Sequence, residues 1–107
     1  MDDVKLNLND KGQGAFYIKD GDKQLGEMVI SISGKDLTVY HTEVLPEAEG
    51  KGLAKNLLSA MVEYARKNGL QVIPLCPYVF AQFQRHAEAY ADIWNKEGER
   101  QAHHPSK

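Results

Sequence analysis

The stretch "EVLPEAEGKGLAKNLLSAMVEYARKNG", residues 43–69, constrains the fold more than any other part of the chain. It begins as a strand, crosses a proline and two glycines one residue apart, and continues as a helix. Leu53, Leu57, Leu58, Met61, Val62 and Ala65 fall at helical spacing, while Lys55, Asn56, Ser59, Glu63, Arg66 and Lys67 take the opposite face. Arg66 and Lys67 suit the negative C-terminal end of that helix, and Gly69 can adopt the left-handed conformation that closes it. A helical crossover is the connection parallel neighbours require, so "LQVIPLC" (70–76) is expected to lie parallel to the strand ending at Leu45. Pro74 cannot donate to a ladder, which predicts an unpaired side near residue 74, at an edge or where two strands diverge.

Before this segment, "VKLNLND" (4–10), "GAFYIKD" (14–20), "QLGEMVISIS" (24–33) and "LTVYHTEVL" (37–45) alternate polar with apolar residues and are separated by turn signatures at Asp20-Gly21-Asp22-Lys23 and Ser33-Gly34-Lys35-Asp36. They predict an antiparallel meander of about four strands. Strict alternation places Leu37, Val39, His41 and Glu43 on one, core-like face, and Thr38, Tyr40, Thr42 and Val44 on the other. After Pro77, Val79, Phe80, Phe83, Ala87, Tyr90 and Trp94 recur every three to four residues, giving one helix or two short ones. Tyr78, Phe80, Phe83, Tyr90 and Trp94 are most economically core or pocket wall. The fold class is α/β (α+β): a mixed sheet, antiparallel with a parallel fifth strand, packed with helices. Residues 1–97 are expected to form a single domain. Residues 98–107 lack apolar periodicity and are expected to be a mobile tail, with His103 and His104 solvated rather than ligating.

Composition removes several classes of function. A chain of 107 residues suits one core. With 42% hydrophobic and 26% charged residues and no long apolar run, it reads as a soluble protein without a membrane span. Its start, Met-Asp-Asp-Val-Lys, lacks the basic segment and apolar block of a secretory signal, so a cytoplasmic location is expected. Cys76 is the single cysteine, and no Cys/His cluster has zinc-site spacing, so neither a disulfide nor a metal site is expected. A formal charge of −2 with dispersed lysines offers no basic stripe for nucleic acid.

Glycines at the start of a helix have two readings. The first N–H groups of a helix lack internal partners and, with the helix dipole, attract anions such as phosphate. Gly50 and Gly52 would let such a ligand lie against the main chain; equally, they would permit a tight strand-to-helix turn. Two familiar phosphate loops are excluded. There is no Gly-x-x-x-x-Gly-Lys-Ser/Thr, and Lys55 stands where a dinucleotide fingerprint needs a third glycine.

In context, the strand ending Glu43-Val44-Leu45, the Gly50-Lys51-Gly52 loop, the amphipathic helix, and the strand and helix that follow resemble the acyl-CoA-binding core of the GNAT superfamily of acetyltransferases. "EVLPEAEGKGLAKNLL", "LCPYV" and "HAEAY" together look like very small GNAT-like proteins, with the likeness covering residues 4 to about 95. In that superfamily the loop usually reads Gln/Arg-x-x-Gly-x-Gly/Ala; Glu47 departs from its first position, while Gly50 and Gly52 match. The resemblance implies an acetyl-CoA-dependent N-acetyltransferase acting on an amine, either a small molecule or a protein lysine. The alternative is a non-catalytic CoA or acyl-CoA binding module. It also implies that pantetheine runs beside Val44 and Leu45, where the parallel strands splay. Pyrophosphate would meet the amides of Gly50, Lys51, Gly52, Leu53 and Ala54, with Lys51 and Lys55 adding charge.

Cys76 and His41 are the candidate catalytic residues. Cys76 precedes Pro77, a residue favoured at the first helical position, and so stands at or beside a helix N-cap. That position lowers a thiol's pKa and favours the nucleophilic thiolate; the alternative is an inert cysteine buried at a strand end. His41 is read as a base or thiol partner, or else as a hydrogen-bonded structural residue, with Glu43 as the reserve base.

Overall fold

The computed structural model describes residues 3–103. Its alternating segments form β1 (Lys5–Leu8), β2 (Gln13–Asp20), β3 (Lys23–Ser33) and β4 (Asp36–Val44), each antiparallel to the one before. After the crossover helix α1 (Leu53–Lys67), β5 (Gln71–Pro74) joins β4 in parallel, from Asp36 opposite Gln71 to Val39 opposite Pro74. The five strands lie in sequence order, so β5 is an edge strand. Pro74 therefore sits both at an edge and at the end of the paired region, as its missing N–H requires.

One face of the sheet carries Phe16, Ile18, Met28, Ile30, Leu37 and Val39, all buried beneath the apolar stripe of α1. Leu57 and Met61 of that stripe are fully buried, each contributing about 1.5–3 kcal/mol in apolar burial. The C-terminal aromatic run is divided between α2 (Pro77–Arg85) and α3 (Ala87–Tyr90). Phe83 stacks on Tyr90 at 4.6 Å and meets Trp94 edge-on at 5.6 Å. Arg66 of α1 donates to the Ala89 carbonyl and to Asp92, tying α1 to the segment around α3.

Strict alternation fails in β4. Val29 pairs with His41 but Ile30 pairs with Val39, so Tyr40 is an extra residue, a β-bulge. Beyond a bulge the two-residue period restarts on the other face. His41 and Glu43, expected beside Leu37 and Val39, instead project from the opposite face and are exposed. Thr42 and Val44 take the core side, opposite Met28 and Gly26. Tyr40 stays outside, 45% exposed, with its hydroxyl 2.8 Å from Ser31 Oγ.

The segment read as a tail begins with a helix, α4 (Lys96–His103). The Asn95 side chain accepts the Gly98 N–H at 2.9 Å, as an N-cap does, and donates to Asp36 at 3.0 Å. Gly98 lies against Ile73, where an added Cβ would come within 2.7 Å of the Ile73 side chain. Neither a lone cap nor a single close glycine contact creates the apolar period by which a helix is recognised. Residues 104–107, including His104, lie outside the described residues, as does the side chain of His103. Among the described residues no helix is long and apolar enough to cross a membrane.

Candidate functional site

The site forms where β4 outlasts β5. The Val39 carbonyl accepts from both Leu75 N–H, at 3.0 Å, and Cys76 N–H, at 2.9 Å; the chain then turns into α2. Residues 40–44 of β4 continue with no β5 partner opposite them. On the other side Leu45 N–H donates to Leu25 at 2.9 Å, and alternation makes Val44 and Gly26 a non-hydrogen-bonded pair. The main-chain groups of Val44 therefore face the gap between the strands, whereas the Leu45 amide is used within the sheet.

Beside that gap stands the N-terminus of α1. A 3-10 turn over Pro46–Ala48 leads into Gly50 and Gly52, at φ 88° and 76°, a left-handed conformation that side-chain-bearing residues adopt at a cost. Gly52 is the N-cap, with no side-chain cap and no acidic residue in the first turn. The Asn56 N–H closes the first helical bond, to Gly52 at 3.0 Å, so the amides of Leu53, Ala54 and Lys55 precede the intrahelical ladder. A Cβ added at Gly50 or Gly52 would meet no protein atom within 4 Å beyond its own chain neighbours. Both glycines line a cavity of about 400 Å³, with Thr42, Val44, Leu53 and Ala54 and, around them, Ala48, Glu49, Lys55 and Tyr78.

Not every residue singled out in the sequence lies there. Lys51 is exposed and outside the lining, whereas Lys55 belongs to it. Leu45 lines a separate hollow of about 190 Å³ with Glu27 and Glu43. Glu47 turns toward β3, where an ion pair with Lys23 holds its carboxyl below the usual carboxylate range.

Cys76 is the N-cap of α2, as its place before Pro77 predicts, but its thiol is 1% exposed. Sγ lies 3.4 Å from Thr42 Oγ1, so it stands behind the cavity wall to which Thr42 belongs. His41 lies on the far side of the sheet, with ligand atoms of Glu27 and Glu43 within 4.8 Å. Tyr78, in the first turn of α2, lines the cavity; burial, reinforced by Tyr90 and Cys76, pushes its phenol pKa up and keeps it protonated. Thr42 is a site residue that the sequence reading missed, because alternation without the bulge turns it away from the core; Ala48 and Glu49, which carry no motif signal, are others.

A mixed sheet whose parallel pair opens beside a glycine-capped helix N-terminus defines the fold of the GNAT acetyltransferases. The chain belongs to the GCN5-related N-acetyltransferase family, whose sequence pattern matches residues 15–93, and by that membership it is an acetyltransferase. A solution structure of a GCN5-like N-acetyltransferase candidate from Staphylococcus aureus is 28% identical, with a TM-score of 0.62 over 84% of this chain and 86% of that one. Nourseothricin acetyltransferase is 31% identical, with a TM-score of 0.51 over 65% of this chain and 44% of that one. The ribosomal-protein-S18-alanine N-acetyltransferase of Escherichia coli, at 16% identity, shares the fold, with a TM-score of 0.56 over 62% of this chain and 43% of that one. The chain thus spans less than half of these two larger enzymes. Among the curated proteins the sequence has no significant match.

Proposed function

We propose that this chain transfers an acetyl group from acetyl-CoA to a primary amine, of a small molecule or a protein lysine, by direct attack on the thioester. The observation that carries this reading is the continuity of the cavity, from the uncapped N–H groups of α1 to the unpaired main chain of Val44. Space left open at Gly50 and Gly52 suits a diphosphate, which the amides of Gly50 to Ala54 and the Lys51 and Lys55 side chains would hold. Pantetheine would follow the main chain of Val44 into the gap, whereas Leu45, whose amide is bonded to Leu25, would take no main-chain part. Its thioester would then stand between the core face, with Tyr78, and the outer face, with His41 and Glu43.

In the transfer, the amine nitrogen forms a bond to the carbonyl carbon as the carbon–sulfur bond breaks, and the electron pair goes to the sulfur. Tyr78, held protonated, supplies a proton to that sulfur; His41 takes the proton lost by the amine, with Glu43 beside it. A second reading routes the acetyl group through Cys76, favoured by its helix N-cap position and its contact with Thr42 at the cavity wall. There the Cys76 sulfur takes the acetyl carbon and its proton passes to the departing CoA sulfur; the amine nitrogen then bonds the acetyl carbon as the carbon–Sγ bond breaks, and the proton it loses returns to the Cys76 sulfur.

The test is CoA release from acetyl-CoA with polyamines, amino acids and lysine peptides as acceptors. Tyr78→Phe and His41→Gln should each slow transfer by roughly 10²-fold while retaining CoA affinity. Undiminished transfer in both variants would contradict the proton roles. An inert panel alongside confirmed CoA binding would favour the non-catalytic binding module. An acetyl thioester on Cys76, seen by mass spectrometry and removed by hydroxylamine, would establish the relay.

A further inference from the structure

We propose that Glu27, His41 and Glu43 form a binding site for a divalent transition-metal ion on the open face of the sheet. The bulge at Tyr40 builds it. Without that extra residue His41 and Glu43 would point into the core; with it, they stand on the face of Glu27 from the neighbouring strand. One ligand atom from each lies within 4.8 Å of the others. Four-coordinate zinc, with arms of about 2.0–2.2 Å, separates its ligands by about 3.4 Å, so the three must close by at most about 1.4 Å. Rotation of half-buried and exposed side chains covers that distance. One imidazole nitrogen and two carboxylates form a borderline donor set suited to zinc or cobalt.

Electrostatics point the same way. Glu27 and Glu43 are directly opposite each other in the antiparallel register, where like charges repel. Among the described residues neither carboxylate belongs to an ion pair, and Glu27 accepts a hydrogen bond from the neutral side-chain amide of Gln24, at 3.0 Å. A dication would cancel the repulsion. An ion there would occupy the His41 lone pair, so metal should inhibit acetyl transfer; that consequence alone rests on the proposed role of His41.

The experiment is calorimetric titration of the full chain with Zn²⁺ at neutral pH. His103→Ala and His104→Ala are included to remove the histidine pair near the C-terminus as a competing site. One ion should bind, and Glu27→Gln and His41→Gln should each weaken binding by about tenfold or more, in line with loss of a ligand. Co²⁺ provides a reading independent of any variant: it should broaden the amide resonances of Glu27, His41 and Glu43 and spare those of Gly50 to Ala54. No binding at millimolar Zn²⁺, affinity unchanged in both variants, or broadening centred elsewhere would overturn the site. Glu27 takes no part in the proposed transfer, so Glu27→Gln should keep transfer and lose its sensitivity to zinc. Zinc binding at these residues without inhibition would leave the metal site standing and refute His41 as base.

Discussion

Gly50 and Gly52 divide the work of the loop between conformation and space. Both hold a positive φ, both line the cavity, and at both the direction a side chain would take is free of protein atoms. Gly52→Val should therefore strain the helix start and fill the proposed diphosphate position, lowering CoA affinity by about tenfold or more. Lys51→Ala removes one exposed charge outside the lining and should cost about threefold. The reverse order in a titration series would mean that side chains, not amides, hold the anion. Cys76 yields a different expectation from burial than from its N-cap position. At 1% exposure its thiol should alkylate with iodoacetamide more slowly than a free cysteine until the protein is unfolded. Cys76→Ala should lower stability by about 1–2 kcal/mol and leave direct transfer intact. Rapid labelling of the native protein, slowed by CoA, would favour the relay.

Among the elements, α1 and the α3 segment are joined by a pair whose pH response has a definite sign. Arg66 donates to Asp92 and holds its carboxyl below the ordinary value, while the Arg66 guanidinium is pushed up by the same hydrogen bond. A carboxyl whose folded pKa is depressed adds stability above its unfolded value, near ~3.9, and loses it as pH falls through the folded value. Both side chains are about half exposed, so the effect is small. Wild type should melt roughly 1–4 °C above Asp92→Asn at pH 6, with the difference beginning to shrink below about pH 4 and vanishing only once the pH is under the folded value. A difference that persisted or grew in acid would contradict this. The elements also mark how far the sequence can be read. Strands and α1 were legible because their periods are uninterrupted, and Pro74 foretold where β4 and β5 part. The bulge was not, since "LTVYHTEVL" alternates cleanly and only pairing with the longer β3 adds the extra residue. That one residue turned His41 and Glu43 outward and Thr42 inward. Helix α4 was illegible for a related reason: tertiary contacts of Asn95 and Gly98, not an apolar stripe, hold it in place.

At the scale of the molecule, a small chain retains the parts that a GNAT fold devotes to its acyl donor. The antiparallel meander supplies a rigid β4, the crossover helix brings its N-terminus to the end of that strand, and a short β5 leaves the gap. Proposed acid and base groups then occupy opposite faces, Tyr78 inside and His41 outside, with the thioester position between them. All of this depends on the cavity being a CoA site. Isothermal titration with CoA is the decisive measurement: a single site is expected, which Gly52→Val weakens by about tenfold or more and Tyr78→Phe leaves intact. Absence of binding at millimolar CoA, or binding indifferent to Gly52→Val, would contradict it.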